Sequence, residues 1–348
     1  MKDQKKQICV LLALLAAVIA AALISLTVGS SGMSGKDCFA ALMGKGSEAN
    51  VRIIRNIRVP RMLAALAAGA GLSVSGLIMQ TALNNPMASP ATLGVSNAAV
   101  FGANLSMIAF SGGALSTGNN VSFYFSQADP FSAGFMSFLF AAVSVLLILS
   151  LSRLRSFSPG VVVLAGIALG SAWSAAATIL QFYATDVGLS AAVIWSFGDL
   201  GRATYRADFI MLAVVAAASA FFMLMSWQYN ALLSGESTAC SLGVNVKLLR
   251  FVSLLISSLV TAVCVSNLGV IGFVGIICPH AVKRLLGQDH RGSVPGSILM
   301  GSLLLLCADI VSRTLGRGSA LPVGALTSLL GAPFFLVLIF SRRREEYA

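Results

Sequence analysis

Runs of about twenty apolar residues alternate along this chain with short polar or charged breaks, and about twenty is the length an α-helix needs to cross a bilayer. The runs lie near 8–28, 62–81, 92–110, 133–151, 161–183, 208–227, 249–266, 268–286, 296–312 and 323–340. Only Ser266, Asn267 and Gly269 mark the break between the seventh and the eighth. The pattern predicts an all-α polytopic membrane protein of about ten transmembrane helices. No polar stretch is long enough for a second, soluble domain, so residues 1–348 read as one membrane domain. The first run, Ile8 to Val28, follows Lys2, Lys5 and Lys6 as a signal peptide would. It is longer than a signal peptide's apolar region, and no small-x-small cleavage site is followed by a soluble domain, so it reads as a retained span.

Composition agrees with lipid as the solvent. Hydrophobic residues make up 57% of the chain and charged residues 10%, whereas a soluble domain carries about 25% charged residues. The net charge of +11 would suit nucleic acid, but no basic helix interleaved with aromatics is present. In a membrane protein such charge sets orientation and touches lipid headgroups. An even number of spans puts both termini on one side. With both termini cytoplasmic, 13 of the 23 Lys and Arg residues fall inside and 10 outside. The basic ends, Lys2, Lys5, Lys6 and Arg342 to Arg344, decide that orientation. The six cysteines are scattered, with only Cys38 in an external segment, so no disulfide framework is expected.

The weak bias implies that the outer arginines have work to do. Arg52, Arg55, Arg58 and Arg61 recur every third residue, which predicts one cationic stripe on a helix. Such a stripe suits either an acidic partner or lipid headgroups. Many of the 33 glycines sit inside apolar runs, and Gly166-x-x-x-Gly170 reads as a close helix contact. Asp309, four residues before Arg313, predicts an ion pair, with a proton relay as the sharper alternative.

Catalytic chemistry finds no footing. Gly29 to Lys36 (GSSGMSGK) is one residue too long for a phosphate loop, and Asp37 stands where Ser or Thr would hold magnesium. His280 and His290 lack the companions of a metal site. No G-x-S-x-G elbow is present. No directly bound cofactor or metal is expected.

Four stretches carry a resemblance. They are Arg58 to Ala99 (RVPRMLAALAAGAGLSVSGLIMQTALNNPMASPATLGVSNAA), Gly235 to Val244 (GESTACSLGV), Gly269 to Arg291 (GVIGFVGIICPHAVKRLLGQDHR) and Ala308 to Ile339. Together, and in this order, they resemble the FecCD family of ABC importer permeases, which serve ferric siderophores, haem and cobalamin. The resemblance implies a ten-span subunit of the bacterial cytoplasmic (inner) membrane, paired with a second permease subunit as a homodimer or close heterodimer. It also implies partner ABC ATPase subunits, which hold the ATP and magnesium, and an extracytoplasmic substrate-binding protein.

Residue by residue, Arg58, Arg61 and Arg313 match the external arginines that meet glutamates of the binding protein. Gly235, Glu236, Ala239, Leu242 and Gly243 match the cytoplasmic segment that seats in the ATPase. Ser158, Pro159 and Gly160 occupy the position of the inner gate. Two departures stand out. Ala320 replaces the family's Glu before L-P-V-G, and Asp199 ends a Trp195-Ser196-Phe197-Gly198 run where the family has Ser. The implied function is ATP-driven alternating access for an iron chelate, ferric siderophore foremost, with haem and cobalamin as other cargoes. An ion-coupled secondary transporter is the rival reading; it would need midplane acids or unwound helices, whereas Asp309 lies near a span end and spans two to five hold no carboxylate.

Overall fold

The computed structural model describes residues 2–29, 33–110, 130–153, 158–315 and 320–333. The described residues form helices and no strand. In chain order they are α1 (Lys2–Thr27), α2 (Gly35–Leu42), α3 (Glu48–Ile53), α4 (Val59–Ala82), α5 (Val95–Asn104), α6 (Pro130–Arg153), α7 (Pro159–Phe182) and α8 (Asp186–Ser196). There follow α9 (Tyr205–Leu224), α10 (Ser226–Leu233), α11 (Glu236–Ser241), α12 (Val246–Leu268), α13 (Val274–Leu286) and α14 (His290–Leu315), and finally α15 (Val323–Pro333). Among the described residues, seven helical stretches are long and apolar enough to cross a membrane. The third, eighth and tenth apolar runs appear within the described residues as the shorter helices α5, α13 and α15.

The short break between the seventh and eighth runs is a real break between two helices. Gly269 closes α12 at φ 78, and Phe273 opens α13 in the left-handed region at φ 64. A side chain at Gly269 would meet the carbonyl oxygen of Trp195 at 2.6 Å, so close approach and backbone conformation both demand glycine there. Hydrophobic periodicity alone did not show α8, which begins at an N-cap where Thr185 accepts from the Gly188 amide.

The chain divides into two compact units: residues 1–74, 199–219 and 271–348, and residues 75–198 and 220–270. In the first, α4 and α14 meet backbone to backbone. A Cβ added at Gly69 would lie 2.3 Å from the Gly301 carbonyl oxygen, and one at Gly301 would lie 2.1 Å from that of Gly69. Ser302 donates to the Leu66 carbonyl at 2.9 Å across the same crossing. Such small-residue seams replace the hydrophobic drive that lipid cannot supply. In the second unit, Met79, Leu83, Leu93, Val145, Ile148, Leu254 and Val265 form the core. There Gly166 and Gly170 of α7 admit the chain at Leu93 and Gly94, with Gly170 lying 2.6 Å from a Cβ placed on Gly94. The small-xxx-small pair is therefore a packing device. The exposed apolar rows, such as Ile8, Leu12, Leu15, Ile19 and Leu23 on α1, suit the lipid that the composition calls for.

Candidate functional site: an arginine cluster and an exposed short helix

The four arginines on the approach to α4 do not form one stripe. Three residues advance an α-helix by about 300°, so each arginine lags its predecessor by about 60°. A π-turn at Ile54–Arg58 then interrupts the helix and shifts the register again. Arg52 and Arg55 end up exposed, whereas Arg58 and Arg61 turn inward, 4% and 7% exposed. Arg52 pairs with Glu48 one turn back, at 2.7 Å.

The inward arginines meet the end of α1 and two aspartates, all within the first unit. Arg58 donates to the carbonyls of Leu26 at 2.6 Å and Thr27 at 3.0 Å. Arg313 donates to the carbonyls of Ser25 at 2.9 Å and Val28 at 2.8 Å, and to the Ser25 hydroxyl at 2.7 Å. Two guanidiniums thus satisfy carbonyls that a helix end leaves open, where the helix dipole also favours cations. Asp309 is fully buried and pairs with Arg313 at 2.8 Å, as its spacing predicts. It also pairs with the Arg61 side chain, a partner 248 residues away that spacing could not reveal.

Asp199 stands 3.6 Å from Arg61 and accepts from the Gly201 amide at 2.7 Å. The acid that departs from the family pattern therefore belongs to this cluster. Burial lowers the pKa of the neighbouring Arg202 guanidinium, and the charge of Asp199 acts against that shift. Four arginines (58, 61, 202 and 313) against two aspartates (199 and 309) leave two positive charges in excess. The ion-pair reading of Asp309 accounts for its contacts without a relay.

In the second unit, the segment from Gly235 to Gly243 is a short exposed helix on a rigid seat. Gly235 (φ 109) and Gly243 (φ 84) bracket α11 with backbone that only glycine adopts cheaply. Glu236 and Leu242 are exposed, and Ala239 is wholly buried beneath the helix. Glu236 reaches Arg250 of α12 in a two-pronged pair, at 3.2 and 2.8 Å. Arg250 is itself buried and donates to the Ala82 carbonyl at 2.8 Å. The helix is therefore tied through one guanidinium to the ends of two long helices, α4 and α12. Arg250 carries no motif and could not be picked from the sequence. Leu233, Leu242 and Leu248 stand exposed around this segment.

At the start of α7, Ser158 occupies the N-cap, Pro159 the first turn, and Gly160 faces open space. Pro159 suits that place because a first-turn amide has no helical partner to lose. Among the described residues, no group of three His, Cys, Asp or Glu side chains could hold a metal ion.

These features define a polytopic membrane protein with a charged cluster and an exposed short helix. Comparison with known proteins then places it. The model of the FecCD transport family matches residues 15–341, and the chain belongs to that family. It is 44% identical to an ABC transporter permease protein of Methanocaldococcus jannaschii, across 96% of this chain and 95% of the relative. It is 35% identical to a hemin transport system permease protein of Yersinia pestis, across 93% and 94%. A metal-chelate type ABC transporter solved in an inward-facing conformation is similar in structure, with a TM-score of 0.81 and 28% identity. That match covers 95% of this chain and 99% of the other. The chain is a multi-pass membrane permease of the ABC transporter type.

Proposed function

We propose that this chain is the ten-span permease subunit of a binding-protein-dependent importer in the cytoplasmic (inner) membrane, with both termini cytoplasmic. Its cargo is an iron chelate, a ferric siderophore foremost, with haem and cobalamin as the other members of the class. The observation that carries the reading is α11, an exposed helix whose only charged side chain is locked to buried Arg250. A surface helix held that firmly can transmit a push into α12 and α4 instead of yielding to it. Gly235, Glu236, Ala239, Leu242 and Gly243 would receive that push from a partner ATPase that holds the ATP and magnesium.

Arg58, Arg61 and Arg313 lie inward, so their excess positive charge would attract the acidic face of a substrate-binding protein through the field of the cluster, which steers encounter. Ser158, Pro159 and Gly160 would form the inner gate. A second permease subunit would complete the pathway. Relatives in the same family, the hemin permease among them, support the cargo class.

The test is uptake of labelled ferric siderophore, haem and cobalamin into proteoliposomes holding this chain with its ATPase and binding protein. ATP-dependent uptake of one cargo, lost in Glu236→Arg, is the expected result. Uptake driven by an ion gradient without the ATPase would overturn the reading in favour of secondary transport. Docking is read separately as binding-protein affinity. Arg58→Lys keeps the charge and should retain affinity, whereas Arg58→Met should lose it.

A further inference from the structure

We propose that α2 carries a binding site for an anionic phospholipid, independent of the transport reading. The exposed side of α2 shows the pattern. Lys36, Phe39 and Met43 follow one another at spacings of three and four, which places them on one helix face. Phe39 is 67% exposed and Met43 63% exposed, while the opposite face packs Cys38 and Ala41 against Ile54. With Gly35, Ala40 and Lys45, these residues line an open depression of about 520 Å³.

Depth in the membrane identifies what fills it. The apolar stretch Lys5–Thr27 of α1 has 23 residues, or about 35 Å of helix, against a hydrocarbon core of about 30 Å. Its last turn therefore sits at the boundary between acyl chains and headgroups. Arg58 pins α2 to that depth, since one of its nitrogens reaches Leu26 O at 2.6 Å, Thr27 O at 3.0 Å and Cys38 Sγ at 3.8 Å. Phe39 follows Cys38 directly, so an exposed aromatic ring stands at the level of the glycerol backbone.

Charge supplies the second half of the argument. Lys36 and Lys45 flank the apolar patch, and among the described residues neither ammonium group has a hydrogen-bond or ion-pair partner. The nearest acid along the helix, Asp37, is held by the Ser34 hydroxyl at 2.8 Å. Two ammonium groups beside an apolar groove at headgroup depth match a phosphate with its first acyl segments. Each lysine near a membrane surface contributes about a fivefold preference for anionic lipid, so the pair gives roughly twenty-five-fold.

The experiment places Phe39→Trp protein in nanodiscs of brominated phosphatidylcholine, with or without a minor fraction of brominated phosphatidylglycerol. The wild-type signal from Trp173, Trp195 and Trp227 is subtracted. The expected result is quenching of the introduced indole in both discs. In the mixed discs, the extent should correspond to at least about tenfold enrichment of the anionic lipid. In a Lys36→Ala/Lys45→Ala background the enrichment should vanish while quenching by phosphatidylcholine persists, which shows that the helix still lies in the interface. Equal quenching per mole by the two lipids in the unmodified background overturns the headgroup site. No quenching above wild type overturns the lipid assignment altogether, and protection of the same indole by an acidic soluble protein would then mark a protein-docking face.

Discussion

Replacing Asp309 with alanine should unfold this protein more readily than any exposed charge change, and the magnitude follows from what the carboxylate touches. Asp309 is fully buried and holds two guanidiniums, those of Arg61 and Arg313, whose side chains are only 8% and 10% exposed. Removing the acid leaves both cations buried, with Asp199 at 3.6 Å from Arg61 as the remaining counter-charge. Breaking one buried pair from one side costs about 3–5 kcal/mol. Two cations lose their partner here, so the upper half of that range applies. At about 2 °C per kcal/mol for a chain of this size, the melting temperature in detergent should fall by about 8 °C.

A double-mutant cycle separates this mechanism from simple cavity formation. Arg313→Met alone strands part of the acid, but Arg313→Met in the Asp309→Ala background also removes a stranded cation. The two losses should therefore fall short of additivity by about 2 kcal/mol. Thermal unfolding followed by tryptophan fluorescence reads all four proteins. Additive losses, or a shift below about 1 °C for Asp309→Ala, would refute the reasoning. The first would mean that the charges do not interact, and the second that water reaches them.

The remaining predictions concern other contacts. Gly301→Val should cost more than about 3 kcal/mol, because even its Cβ would sit 2.1 Å from the Gly69 carbonyl oxygen; unchanged thermal stability would show that the α4–α14 seam is loose. Arg313→Met should raise amide exchange at the end of α1 by about tenfold or more, since three hydrogen bonds to Ser25 and Val28 vanish; exchange mass spectrometry would read it against an unchanged α12. Arg250→Met should destabilise by about 2–3 kcal/mol by leaving the Ala82 carbonyl unpaired and freeing Glu236. Glu236→Gln should cost under about 1 kcal/mol, because that side chain is 55% exposed; equal melting losses in the two variants would contradict the seat described for α11.

The amino-acid sequence alone determined that this is a helical membrane protein, because apolar runs of spanning length admit no other soluble or sheet solution in lipid. It also predicted the Asp309–Arg313 pair, with a proton relay as the alternative, and the close contact at Gly166 and Gly170, since both rest on fixed helical spacing. Motif order led to the transport family. Only the tertiary structure decided that the arginine series splits, with Arg52 and Arg55 outside and Arg58 and Arg61 within. A π-turn has no sequence signature, yet it rotates everything beyond it. The partners that give the charged residues their roles were likewise invisible: Arg61 with Asp309, Arg58 with the end of α1, Glu236 with Arg250. Periodicity reports which face of a helix is apolar, whereas a charge's partner depends on which distant segment folding brings to it.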